Sequence, residues 1–211
     1  MPVYNEQETI AIALRRLKKI KLPIKKEIIV VNDGSTDNSQ KITSLFFKKN
    51  QQVRYISHGR NLGKGRAIRT GLEQVTGDLT VIQDADLEYD CADLQKMLQI
   101  MNNRGLRVLY GSRHLGKKTK RHAEWWFYYG GLGINWLTNF LYGTNLTDEA
   151  TCYKMIETKL LRSLHLSCQR FEFCPEVTAK ISLMGIDIPE TKISYVPRLV
   201  GEGKKIRLRD G

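Results

Sequence analysis

The sequence predicts an α/β fold, with a mostly parallel central sheet covered by helices on both faces. Three observations lead there. Short β-branched runs alternate with amphipathic helical stripes along the chain. The connections are short and hold no internal repeat or low-complexity linker, so the 211 residues read as one domain over 1–211. Carboxylates and glycines gather just beyond the strand runs, at the end of such a sheet where ligands bind.

Met1 to Tyr4 reads as the last residues of a first strand, because Asn5 with Glu8 already has capping-box spacing. A central strand needs about five residues. The expectation is therefore that upstream sequence is absent from this chain and that Asp210-Gly211 is an equally abrupt end. Ile10, Leu14 and Leu17 share one face of a first helix, with Arg15, Arg16, Lys18 and Lys19 turned outward. Glu27 to Asn32 is a β-branched run of the buried parallel kind. Asp37 with Gln40 repeats the capping-box spacing before a second helix. Val53–Ser57, Leu79–Gln83 and Leu106–Tyr110 are further strands. Ala67, Ile68, Gly71, Leu72 and Val75 stripe a third helix, and Asp90 caps a fourth through Leu94, Leu98 and Met101.

Composition narrows the class. Hydrophobic residues at 41% and charged residues at 27% exclude wholesale disorder, collagen and a polytopic membrane protein. Cysteines 91, 152, 168 and 174 form no Cys-x-x-Cys pair and no ligand spacing with the histidines. A disulfide scaffold and a structural zinc site are thereby set aside, and reduced thiols in a cytosolic setting are expected. No signal-peptide pattern precedes Pro2. The net charge of +12 points to an anionic partner: nucleic acid, an anionic lipid surface or a phosphorylated substrate.

Two clusters carry candidate chemistry. Asp84 and Asp86 stand two apart in extended chain, so both side chains fall on one side. Such a pair repels itself unless a cation lies between, and oxygen ligands suit Mg²⁺ or Mn²⁺. The plainer alternative is a solvated acidic turn. An EF-hand is excluded, since Tyr89 takes the place of its glycine and Gln95 that of its glutamate. The stretch Gly59 to Gly65 fails the P-loop pattern, because Gly65 follows the Gly-Lys pair. It also fails the dinucleotide fingerprint, because Ile68 stands at the third glycine. A tight turn feeding a helix and a phosphate cradle both stay open for it.

Five segments then occur in a telling order: Pro2-Val3-Tyr4-Asn5-Glu6, Val31 through Asp37, Asn61-Leu62-Gly63-Lys64-Gly65, Asp84-Ala85-Asp86 and Gly111-Ser112-Arg113. In that order the chain resembles glycosyltransferase family 2. Asp148 through Lys154, Arg170-Phe171-Glu172-Phe173 and Arg198 with Gly201 to Lys205 are similar to its polyprenyl-phosphate branch, the dolichol-phosphate mannosyltransferases and bacterial polyprenyl-phosphate glycosyltransferases. The resemblance implies a GT-A (Rossmann-like) catalytic domain. It places Pro2, Tyr4, Glu6 and Asp33 on the base and ribose, and Asp84 and Asp86 on a metal with the Ala85 backbone beside the nucleotide. Glu88 is implied as a further ligand. Arg113, Arg121, Arg198 and Lys204 match positions that contact the donor diphosphate or the acceptor phosphate. Gly203 stands where the dolichol-type motif usually has Ser.

The implied reaction is inverting transfer of a hexose from a nucleotide sugar, of GDP-mannose or UDP-glucose type, to a polyprenyl or dolichyl phosphate. Charge growing on the leaving diphosphate would be met by the metal, Arg198 and Lys204. A phosphate monoester has a second pKa of about 6, so its nucleophilic oxygen is already ionised at neutral pH. Asp148, at the family's acidic position, would then orient the site; for a sugar hydroxyl it would have to act as base. Trp125 to Tyr142 carries no charge but is too polar to span a bilayer, and its aromatics suit an interface. With the basic cluster Lys117, Lys118, Lys120 and Arg121 just upstream, residues 123–142 are expected to dock on a membrane surface, peripherally at its cytoplasmic face. Packing of those aromatics against the core is the alternative. Three rival functions remain: a family member that extends a cell-surface saccharide, a basic nucleic-acid-binding module, which would leave the acidic strand ends unexplained, and an inactive relative lacking its first strand.

Overall fold

The computed structural model describes residues 1–48, 53–115 and 125–198, with side chains in the last segment described from residue 132 onward. Strands β1 (Pro2–Val3), β2 (Ile28–Asn32) and β3 (Val53–Ser57) form a parallel sheet in the order β1-β2-β3. Every residue of β2 is buried, because both faces are covered. Ile28 and Val30 join Ile10, Leu14 and Leu17 of helix α1 (Ile10–Lys19), while Ile29 and Val31 pack on Ala67 of helix α3 (Lys64–Glu73). Helix α2 (Ser39–Lys48) covers β3 beside α1.

The second sheet runs β4 (Leu79–Val81), β6 (Lys154–Glu157), β5 (Val108–Ser112), β7 (Glu190–Lys192). Strand pairing among the described residues is mostly parallel, as expected, with β6 the exception: it runs antiparallel to both neighbours, while β5 and β7 are parallel. Lys154-Met155-Ile156-Glu157 escapes a pattern search because it is short and half charged, yet Lys154 is buried. Helix α4 (Asp93–Arg104) packs beneath β5, and α6 (Thr158–Ser163) and α7 (Phe173–Leu183) close a second core with Ile68, Tyr110 and Ile156. Helix α5 (Trp125–Tyr142) lies against α7.

The first strand is as short as expected. Met1 extends its ladder by one residue, donating to Ile29 O at 2.8 Å and accepting from Val31 N at 2.9 Å. An apolar cavity of about 330 Å³, lined by Ile29 and Val31 of β2, Leu79 and Val81 of β4, and Leu94 and Leu98 of α4, lies between the two sheets. The Asn5–Glu8 cap is not the one formed. Helix α1 starts at Ile10 with Thr9 at its cap, and Asn5 Oδ1 instead accepts from Thr36 N at 2.8 Å. Ser35, Ser39 and Asp37 likewise take Asn5 N, Glu6 N and Gln7 N in that order, so bonds between the loops after β1 and β2 displace the local cap. Those bonds hold two site-bearing loops in register.

Candidate active site

The loop after β2 is built around Asp33. This buried carboxylate accepts from Leu62 N at 2.9 Å and Gly63 N at 2.8 Å, and His58 Nδ1 lies 2.7 Å from it. Its oxygens therefore organise the glycine-rich loop, a different engagement from the base contact implied for it. Gly63 has φ +99°, and a Cβ there would sit 2.5 Å from Gln169 O, so only glycine fits. Two amides of the first turn of α3 are also taken: Gly65 N donates to Arg170 O and Arg66 N to Gln169 O. These bonds favour a turn feeding a helix for this stretch, since four of its amides already donate to the Asp33 carboxylate or to backbone carbonyls.

What the loop delivers to the site is Lys64. Its Nζ lies 2.8 Å from Asp84 Oδ2 and 3.0 Å from Cys152 Sγ. Burial works against charge on both partners, but their attraction prevails: Asp84 is held below the usual carboxylate range and Lys64 well above its own. Asp86 is different. Burial, then the charges of Asp84 and Glu88, push it up to about 7. The one described bond to its carboxylate is from Glu88 N, at 3.1 Å. Glu88 itself is occupied, accepting from Tyr195 Oη and Arg198 N at 2.8 Å each. Arg198 donates to Asp86 O and to Glu6 Oε2, both at 2.8 Å, so Glu6 and Arg198 pair with each other across the site. Ala85 is buried between the two aspartates, Pro2 is paired with Val31 in β1, and Tyr4 is 36% exposed.

Among the described residues, no three His, Cys, Asp or Glu side chains converge as a ready cation cluster. The implied ligand set Asp84, Asp86 and Glu88 is thus not assembled: Lys64 draws off the first, while Tyr195 and Arg198 N hold the third. Asp84 and Asp86 nonetheless suit a divalent ion. They offer hard oxygens, and the charge burden on Asp86 is what a cation would relieve.

A second constellation lies at the end of β5. Arg113 grips Asp148 with Nε to Oδ2 at 2.7 Å, Nη2 to Oδ1 at 2.6 Å and its own amide to Oδ2 at 2.8 Å. Asp148 is buried, which alone would raise its pKa, but these bonds and the guanidinium charge hold it below the carboxylate range. The Arg113 side chain is 21% exposed, and its guanidinium carbon stands 5.1 Å from the Tyr195 ring centroid. Glu190 of β7 pins the turn by accepting from Thr147 N, Thr147 Oγ1 and Asp148 N.

Helix α5 is amphipathic in an unusual sense. Asn135 and Thr138 are buried, while Trp136 is 67% and Phe140 72% exposed, with Leu132, Ile134, Leu137 and Leu141 also outward. Trp136 and Phe140 stack at 5.6 Å, one turn apart. Among the described residues, no helix is long and apolar enough to cross a membrane.

Arg121, Lys204, Lys117, Lys118, Lys120 and the Gly201–Lys205 motif lie outside the described residues, as do the side chains of Trp125, Trp126, Tyr128 and Tyr129. Sequence reasoning gave no role to Lys64, His58, Glu190, Tyr195 or Asn135. Asn135, Thr138 and Asn139 did leave a signal, since their spacing places them on one helical face. Glu190 left none.

Fold and site together define a glycosyltransferase of GT-A type. The chain superimposes on glucosyl-3-phosphoglycerate synthase from Mycobacterium tuberculosis with TM-score 0.68 at 17% identity, covering 95% of this chain and 70% of that one. It matches Staphylococcus aureus TarS with TM-score 0.62 at 17% identity, covering 92% and 58%. The model for Glycosyl transferase family 2 matches residues 1–164, and the chain belongs to that family. It is 27% identical to the UDP-N-acetylglucosamine–dolichyl-phosphate N-acetylglucosaminyltransferase of Methanococcus voltae, over 99% of this chain and 89% of that protein. It is 28% identical to the dolichyl-phosphate β-glucosyltransferase ALG5C of Trichomonas vaginalis and 24% identical to the dodecaprenyl-phosphate galacturonate synthase of Rhizobium johnstonii, spanning 62% and 53% of their lengths.

Proposed function

We propose that this glycosyltransferase moves a hexose from a nucleotide sugar to a polyprenyl or dolichyl phosphate, with inversion at the anomeric carbon. The state of Asp148 carries the reading. A sugar hydroxyl acceptor needs a base to take its proton. Asp148 accepts three N–H bonds from Arg113 and is held in its ionised, weakly basic form. A phosphate monoester, with a second pKa of about 6, arrives without that proton. Asp148 then serves to aim Arg113, whose exposed side offers a positive charge to the incoming phosphate. This favours the lipid phosphate over extension of a cell-surface saccharide, and the names of the three relatives point the same way.

On the donor side, Asp84 and Asp86 would hold Mg²⁺ or Mn²⁺, and such an ion offsets charge on a departing diphosphate. Glucosyl-3-phosphoglycerate synthase, of like fold, was crystallised with Mn²⁺ or Mg²⁺ and UDP, which supports the choice. Lys64 keeps Asp84 ionised, while the Glu6–Arg198 pair and the Glu88–Tyr195 bond close the chain's later segment over the site. The outward face of α5 supports peripheral attachment to a membrane surface, apolar side chains seated among headgroups. Nucleotide sugars presented in turn with polyprenyl phosphate, with and without Mn²⁺, test the reading. Metal-dependent glycolipid formation is expected; transfer to a free saccharide alone would refute it.

A further inference from the structure

The helix that carries the outward apolar face also holds the turn that carries Asp148. One side chain brackets that aspartate: Asn135 Nδ2 donates to Thr147 O at 2.7 Å, and Asn135 Oδ1 accepts from Glu149 N at 2.7 Å. One helical turn on, Asn139 donates to Leu146 O at 2.9 Å and accepts from Leu146 N at 2.8 Å. Buried backbone groups must find partners, and here α5 supplies them from one side while Glu190 supplies them from the other. Asn135 is only 8% exposed, on a helix whose large apolar residues face out. That reverses the usual burial of an amphipathic helix. The inward amides are explained by the turn they hold.

We propose that Asn135 is a positioning residue for sugar transfer. By bridging Thr147 and Glu149 it sets where Asp148 presents its carboxylate to Arg113, and it ties that setting to α5, the helix read as docking on the lipid surface. The inference rests on the reading of Arg113 and Asp148 as the acceptor-phosphate site. Asn135 acts only through the turn. The Arg113–Asp148 contacts converge within 2.6–2.8 Å, and a shift of about 1 Å in such a constellation is enough to cost on the order of a hundredfold in rate.

Wild type, N135A and N135D are compared by steady-state transfer to polyprenyl phosphate, flotation with phospholipid vesicles, and amide exchange. N135A is expected to lower kcat at least tenfold, with KM for the nucleotide sugar within twofold and vesicle binding unchanged. Exchange at residues 146–149 and at Arg113 N should quicken. N135D is isosteric: it still accepts from Glu149 N, but its carboxylate faces Thr147 O without a proton to donate. Protonation restores that donor, so the ratio of N135D to wild-type activity should rise as pH is lowered from about 8 to about 6. A flat ratio with a depressed rate, or wild-type kcat in both variants, overturns the proposal; should N135A fail to fold, N135D decides alone. If wild type cannot glycosylate the lipid phosphate while exchange at 146–149 still quickens in a variant, the acceptor reading falls and the positioning of Asp148 stands. Unchanged exchange overturns the positioning whatever the acceptor.

Discussion

Two aspartates of the candidate site meet opposite fates. Asp148, in the turn between α5 and β6, has its counter-charge built into the chain: Arg113, just beyond β5, grips it bidentately and holds it ionised. Asp86, beyond β4, makes no ion pair among the described residues, and burial with two acidic neighbours outweighs the charge of Lys64 and drives it up to about 7. A carboxylate balanced within the protein is a fixed strut for aiming other groups. One left over-charged would be relieved by a cation from outside. On the proposed reading, the donor side would be completed by a ligand and the acceptor side set in advance.

Removing the over-charged carboxylate should have the largest effect. D86N is expected to lower turnover by about 10²–10³-fold, as loss of a main charge-stabilising element does, read by glycolipid formation at saturating Mn²⁺. D148N should cost less, about tenfold in kcat, because a neutral amide still meets part of the Arg113 fork. A loss of several orders with unchanged substrate binding would make Asp148 a base and erase the contrast between the two aspartates.

Smaller still is the pH effect, and its sign separates the two. Asp86 titrates higher folded than unfolded, so its contribution to stability is full below about pH 4 and fades as pH rises through about 7. Asp148, held low, contributes above its unfolded pKa and loses that as pH falls. In metal-free protein near pH 8, D86N should therefore melt higher than wild type, on the order of 5 °C, and the gap should close toward pH 5. The mildest change is expected from W136S/F140S on α5: turnover of a detergent-solubilised acceptor within about twofold, and vesicle flotation reduced about tenfold, since the two side chains lie outside the core.

The fold was legible where local pattern reports burial on both faces, as in Ile28–Asn32. It was not legible at β6, where Lys154 is buried by a cation–π contact 3.8 Å from the Tyr110 ring centroid and by the Glu149 carbonyl, partners no periodicity reveals. The acidic cluster at Asp84 and Asp86 was visible as composition just past a strand run, although β4 ends at Val81 and the chain bends over residues 85–87. The pairing of Arg113 with Asp148, 35 residues apart, and the pinning of that turn by Asn135 and Glu190 are products of tertiary approach. Arg198, implied to contact phosphate, donates to Glu6 and Asp86 O, partners that sequence spacing does not reveal.

The most direct test is calorimetric titration of Mn²⁺ into wild type and D86N with a nucleoside diphosphate present, at about pH 8. Tight, nucleotide-dependent uptake of one ion by wild type, at least a hundredfold weaker in D86N and unchanged in D148N, is the predicted result. Equal uptake by wild type and D86N would contradict the assignment of Asp86 as the carboxylate that awaits a cation.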